Sequence, residues 1–458
     1  MSILAIDAGT TGVTAVVVTP DGRIQATGHQ ELRQHFPQPG WVEHSAEEIW
    51  QATLEATREV LGKVDRSELT AVGITNQRET IVLWDRETLG SPRRAIVRQD
   101  RRTADICDRM RADGHEDRVA ELTGLRLDPC FSGTKLMWLA ENEPHTWALV
   151  QSGRYAVGTV DSYLIARMTR GTWHVTDVSN ACRTLLLDLE SGEWSDELCQ
   201  LFGVPRDALP ELVPSWGEVA PTEPSVFLGL SLPIAGVAGD RQSALFGQTC
   251  FEEGESTCTY GTGSSILTNT GSSVVRSDSG LLSTVAWRSP HGELTYALEG
   301  AIFVTGAAVQ WLRDGLQIVG SAAERAAIAA TVDDTDGVVF DPASLEGIAL
   351  EVRDVVETLP GLTTLRVDGG LAENDFLCQL QADQLGCAVE RSQAIETTAL
   401  GAAFLAGLGT GVWGSTDDLR EMWALDRRFE PGGDRAALDA SYARWTDAVQ
   451  RSKGWASS

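Results

Sequence analysis

The stretch Ile3-Leu-Ala-Ile-Asp-Ala-Gly-Thr-Thr-Gly-Val-Thr-Ala-Val-Val-Val18 decides the fold. An apolar run closes on Asp7, a tight Gly/Thr turn follows, and a second apolar run leads to the turn Thr19-Pro-Asp-Gly22, which is the pattern of a β-hairpin. The same order returns in Ser256-Thr-Cys-Thr-Tyr-Gly-Thr-Gly-Ser-Ser-Ile-Leu-Thr268, closed by Asn269-Thr-Gly271. These two copies form a weak internal repeat, and each opens one half of the chain. The reading is an α/β protein of two similarly built domains, residues 1–245 and 246–458.

Between the copies, strand and helix patterns alternate. Ser45 with Glu48 forms a capping box ahead of a periodic run through Val60-Leu61. Leu69-Thr-Ala-Val-Gly-Ile74 reads as a strand that ends in the polar cluster Thr75-Asn-Gln-Arg-Glu79, and Ile234-Ala-Gly-Val-Ala-Gly239 as a strand that ends at Asp240. Polar residues just past the carboxyl ends of such strands are where α/β proteins bind ligands. In the second half, Tyr296-Ala-Leu-Glu-Gly300 leads into an apolar helix around Val309-Gln-Trp-Leu312, and Leu365-Arg-Val367 ends at Asp368-Gly-Gly370.

Composition narrows the function. The chain has 458 residues, 37 Lys plus Arg against 65 Asp plus Glu, and a net charge of −28. No basic stripe is present to hold nucleic acid or an anionic membrane. The start lacks a basic leader with a long apolar segment, and no later apolar run is long enough to span a membrane, so a cytoplasmic location is expected. Eight cysteines without C-x-x-C spacing read as reduced thiols.

Three glycine turns that follow strands, Asp7-Ala-Gly-Thr-Thr, Tyr260-Gly-Thr-Gly and Asp368-Gly-Gly, supply backbone N–H groups suited to phosphate oxygens, and two of them add threonine hydroxyls. Asp7 beside a phosphate cradle would repel it unless a cation lay between, which suggests Mg²⁺ held through water; the alternative is a turn-capping residue. Asp240 reads equally as a helix N-cap or as a catalytic carboxylate. Arg78-Glu79 offers donors beside an acceptor, suited to adjacent hydroxyls, or else a surface ion pair.

Longer motifs carry a resemblance. Gln38-Pro-Gly-Trp-Val-Glu-His44, Gly73-Ile-Thr-Asn-Gln-Arg-Glu79, Phe131-Ser-Gly-Thr-Lys135, Gly236-Val-Ala-Gly-Asp240, Leu245-Phe-Gly-Gln248, Tyr260-Gly-Thr-Gly263, Gln310-Trp-Leu-Arg-Asp314 and Val367-Asp-Gly-Gly370 are similar to glycerol kinases of the FGGY carbohydrate-kinase family, in order along almost the whole chain. The resemblance implies two ribonuclease-H-like domains of the actin and hexokinase superfamily with a cleft between them. It implies ATP, Mg²⁺ and a small polyol as ligands, and self-association as a common state. By position, Asp7 would face the metal. Thr10, Thr11 and Gly12 would face the phosphates, while Thr262, Gly306, Gln310, Gly370 and Asn374 would line the nucleotide site. Arg78 and Glu79 would hold polyol hydroxyls, and Asp240 would accept the proton of the attacking hydroxyl.

The polyol pocket departs from that pattern. Arg98 stands where glycerol kinases carry Trp, Cys130 where they carry Tyr, Arg241 where they carry Gln, Ser265 where they carry Phe, and Thr14 where the first phosphate turn carries Arg. Three aromatic walls are lost, and two cations are expected on the substrate side. Arg241 would either pair with Asp240 and occupy it, or point outward along the following helix. At Ala343-Ser344 the sequence passes directly into Leu345-Glu-Gly, whereas the family carries a loop, a strand and the first turns of a helix there. Two functions follow: an active ATP-dependent kinase for glycerol or a related polyol, or a degenerate kinase that binds nucleotide or a protein partner.

Overall fold

The computed structural model describes residues 1–315, 345–359, 361–394 and 396–453, so the junction expected at Ala343-Ser344 lies outside the described residues. Numbering only the strands of the two large sheets, the first contains β1 (Ser2–Ala8), β2 (Gly12–Val18), β3 (Ile24–Glu31), β4 (Leu69–Asn76), β5 (Trp216–Pro221) and β6 (Pro233–Gly239), in the order β5-β6-β4-β1-β2-β3. The second contains β7 (Glu255–Tyr260), β8 (Ser264–Gly271), β9 (Leu282–Arg288), β10 (Leu294–Ile302), β11 (Thr364–Asp368), β12 (Val389–Ser392) and β13 (Leu425–Phe429), in the order β9-β10-β8-β7-β11-β12-β13.

The repeat extends beyond the two hairpins. From β3 to β5 the pairings run antiparallel, antiparallel, parallel, parallel, antiparallel. From β10 to β13 the sense is the same at each step, with β9 added at the edge. Apolar side chains fill both faces of the first sheet: β1 and β2 are buried almost throughout, which requires cover on both sides.

That cover is helical. Ala46–Leu61 lies on one face, packing Ile49, Trp50, Ala56 and Val60 into the core with Leu4, Ile6 and Val17. Only half of the expected capping box forms: the Ser45 hydroxyl accepts from the Glu48 N–H at 3.3 Å, while the Glu48 carboxylate meets His35. The other face carries the Ala/Gly-rich helix Thr397–Thr410, which contributes Ala399, Ala402, Ala403 and Phe404 to a core with Ile3, Ala5 and Val16. A third core lies mainly in the long excursion between β4 and β5, and a fourth joins the second sheet to helices Leu345–Val356 and Asp375–Leu385.

A cut at residue 245 separates the two sheets in sequence but falls inside the helix Asp240–Gly247, which touches strands of both. Helix Thr397–Thr410, from the second half of the chain, packs on the first sheet and crosses Asp240–Gly247. The crossing is backbone to backbone. A Cβ on Gly401 would lie 1.8 Å from the Ser243 carbonyl oxygen, and one on Gly247 would lie 2.1 Å from that of Thr397. Glycine at both positions is what allows the two helices to meet.

Gly401→Ala is therefore expected to destabilise the fold by about 3 kcal/mol, because neither helix backbone can yield as a side chain could. Gly153→Asn, at φ +76° with open space around it, should cost far less. Urea unfolding of both variants checks the contrast.

Candidate active site

The parallel pair β4 and β6 ends in register at Asn76 and Gly239, so the residues that follow each strand emerge side by side. Arg78 and Glu79 come from one and Asp240 from the other. Arg78 lies across Gly239, where a Cβ would stand 2.6 Å from the Arg78 Cδ. Asp240 is not the helix cap, because Gly239 takes that position without a side-chain hydrogen bond. The Asp240 Oδ1 instead accepts from the Arg241 N–H at 2.8 Å and sits 3.1 Å from the Arg78 Nε.

The surface ion-pair alternative for Arg78-Glu79 fails, since both side chains are 0% exposed. Arg78 forms a two-pronged ion pair with Glu299 of β10 at 2.9 and 2.7 Å and also donates to Gln242 at 3.0 Å. Arg183 donates to Glu79 at 2.9 Å and lies 3.2 Å from Glu299. Glu79 adopts φ +64°, a costly conformation for a side-chain-bearing residue, and its carbonyl is fixed by Ser132 Oγ at 3.0 Å and Lys135 Nζ at 3.1 Å. Burial works against the Glu79 charge, but Arg78, Arg98 and Arg183 outweigh it and hold its pKa at about 2. Glu299 is likewise driven well below the carboxylate range by Arg183 and Arg78 against the opposing effect of burial. Burial lowers Lys135 to about 8.

Sequence reasoning missed Arg183 and Glu299. An acid inside the apolar strand Tyr296-Ala-Leu-Glu-Gly-Ala-Ile302 was a usable signal, because a buried carboxylate needs a cation. Arg183 carries no comparable signal.

In front of this cluster opens a cleft of about 610 Å³, lined by Thr10, Thr11, Arg98, Cys130, Asp240, Arg241 and Thr262 among the predicted residues. Arg98 reaches toward Glu79 Oε2 at 3.7 Å and Asp240 Oδ2 at 3.9 Å. Arg241 neither seizes Asp240 nor points away: its guanidinium faces the cleft and lies 3.9 Å from Glu299. Burial pushes the Cys130 thiol up, so it is a neutral wall group.

The other predicted residues frame this space. Gly12 is buried against the His29 ring. Gly306 opens a short helix, its N–H bonded to the Gly261 carbonyl at 3.0 Å, and Gln310 ends that helix exposed. Gly369, at φ +85°, packs on the Tyr260 backbone, which sets the exposed Gly370 beside the Gly261–Gly263 turn. The Asn374 carboxamide oxygen caps Asp375–Leu385, and its buried NH₂ has no partner.

Asp7 Oδ1 is buried without a hydrogen-bond partner, and burial together with the charges of Asp240 and Glu396 raises the Asp7 pKa well above its usual value. A cation would relieve all three carboxylates, so the donor set suits one held largely through water. Among the described residues, no group of three His, Cys, Asp or Glu side chains is placed to cage a metal directly. No described helix is long and apolar enough to cross a membrane.

The chain matches the N-terminal domain of the FGGY family of carbohydrate kinases over residues 2–247 and the C-terminal domain over residues 343–410. It is 45% identical to a glycerol kinase of Bordetella parapertussis, covering 99% of this chain and 97% of that protein, and 45% identical to one of Deinococcus radiodurans, covering 99% and 98%. A crystal structure of Plasmodium falciparum glycerol kinase with ADP superposes with a TM-score of 0.92 at 30% identity, covering 99% of this chain and 98% of that one. The Bordetella alignment spans 495 positions, which 458 residues cannot fill, so at least 37 positions of that relative face nothing in this chain.

Glu299→Gln is expected to destabilise the protein by about 3–5 kcal/mol, because Arg78 and Arg183 would be left buried without their shared counter-ion. The Glu79 pKa lies below its usual value, so its contribution to stability is complete above the ordinary carboxylate range and is lost as pH falls toward 2. Denaturant unfolding against pH should show that acid limb in the wild type and a flatter one in Glu79→Gln.

Proposed function

We propose that this chain, which belongs to the FGGY family of carbohydrate kinases, transfers the γ-phosphoryl group of ATP to a hydroxyl of glycerol or a related small polyol. The observation that carries this reading is that Asp240 and the Thr10-Thr11 and Gly261–Gly263 turns line one cleft. An acceptor hydroxyl beside Asp240 thus faces the groups suited to phosphate.

In this reading Asp240 accepts the hydroxyl proton as the oxygen bonds to the γ-phosphorus and the bond to the ADP oxygen breaks. Arg78, 3.1 Å away, holds the carboxylate in place. Glu79 Oε2, which lacks a hydrogen bond, accepts from a second hydroxyl. Thr10, Thr11, Gly12 and Thr262 take the phosphates, and Gly306, Gln310, Gly370 and Asn374 the rest of the nucleotide. Asp7 would hold Mg²⁺ through water, and the ion would neutralise charge on the transferring group. A cytoplasmic location follows from the use of ATP.

Asp240→Asn should lower kcat by about 10²–10⁴ while leaving the melting temperature near that of the wild type. ADP release with glycerol and small polyols measures it. If the wild type releases no ADP in response to any acceptor, the kinase reading fails. Heat from Mg-ATP titration in the same protein would then favour a chain that only binds nucleotide.

A further inference from the structure

The substrate side of the cleft carries more positive charge than its own carboxylates can balance. Four guanidiniums, Arg78, Arg98, Arg183 and Arg241, meet three carboxylates, Glu79, Asp240 and Glu299, within 4.0 Å. Without Arg98 and Arg241 the same cluster would bear one negative charge in place of one positive.

Arg241 is the least satisfied of the four. Glu299 is already bonded by Arg78 and approached by Arg183, and at 3.9 Å Arg241 makes no hydrogen bond to it. The Arg241 Nε is buried without a partner. Burial, with the like charges of Arg98 and Arg78, lowers its pKa to about 10, whereas Arg98 is raised by its carboxylate neighbours. The Arg78 Nε and an Arg183 nitrogen of the same cluster are likewise buried without a hydrogen-bond partner, but both side chains make other close ion pairs. An anion between Arg98 and Arg241 would balance the charge and give the Arg241 guanidinium a hydrogen-bond partner.

We propose that the acceptor is a small polyhydroxy acid, its carboxylate held by Arg98 and Arg241 and its terminal hydroxyl presented to Asp240. This rests on the kinase reading above and names its substrate class. The cleft of about 610 Å³, with the small Cys130 on its wall, leaves room for an acceptor longer than three carbons. The reaction is unchanged in form: the hydroxyl oxygen bonds to the γ-phosphorus, ADP departs, and Asp240 takes the proton.

The test is ADP release with matched pairs, erythritol and erythronate, xylitol and xylonate, glucitol and gluconate, in the wild type and in Asp240→Asn, Arg241→Gln, Arg241→Lys and Arg98→Gln. The expected result is a kcat/KM at least tenfold higher for the best acid than for its neutral partner. In Arg241→Gln that ratio should fall at least tenfold, chiefly through KM for the acid, with partial retention in Arg241→Lys and the same direction in Arg98→Gln. A wild type that prefers the neutral partners, or variants that lower both classes equally, would overturn the proposal and leave the kinase reading standing. If nothing is turned over, the kinase reading fails on its own, and calorimetric titration with the three acids decides the anion site. Binding to the wild type but not to Arg241→Gln upholds it, and absence of binding to the wild type overturns it.

Discussion

The two-pronged ion pair between Arg78 and Glu299 is the contact on which the site depends. It joins the carboxyl end of a strand in the first sheet to the middle of a strand in the second, and both side chains are nearly sealed from water. A buried pair of this kind offsets its desolvation only if its geometry is good and its remaining donors are filled. Gln242 accepts a further hydrogen bond from Arg78, and Asp240 and Arg183 surround the pair with opposite charge, although the Arg78 Nε and one Arg183 nitrogen are left without a hydrogen bond. Fixing Arg78 therefore fixes the carboxylate proposed as the base and the position of Glu79 beside it.

The sheets themselves supply the complementary half. Each begins with an antiparallel hairpin whose Gly/Thr turn points toward the cleft, and each adds parallel strands beyond it. Duplicating one supersecondary unit brings two phosphate-type turns together without any long-range code for their meeting. The close crossing of Asp240–Gly247 and Thr397–Thr410 sets the distance between them, because glycines at the contact leave no side chain to hold the helices apart.

Substrate polarity is a separate matter from this framework. Arg78, Arg183 and the three carboxylates form a nearly closed set, and Arg98 and Arg241 are added at its open side. The result is a cleft whose open side carries two cations beyond that set.

Much of this was legible in the chain. The apolar runs, their Gly/Thr turns and the polar residues at their carboxyl ends gave the strands, the two-fold plan and Asp7, Arg78, Glu79 and Asp240, because alternation between chain-reversing glycines and β-branched runs is a local property. Tertiary structure alone decided the rest. It buried Arg78 and Glu79, for which the sequence left a surface ion pair as the alternative. It turned Arg241 toward the cleft without an ion pair to Asp240. It recruited Arg183 and Glu299 from 104 and 221 residues away in the chain, and it laid a helix of the second half on the first sheet. The reason is physical. Hairpins and caps are set by dihedral preferences and hydrogen bonds between near neighbours, whereas the partner of a buried charge is chosen by whichever counter-ion the completed packing leaves within reach.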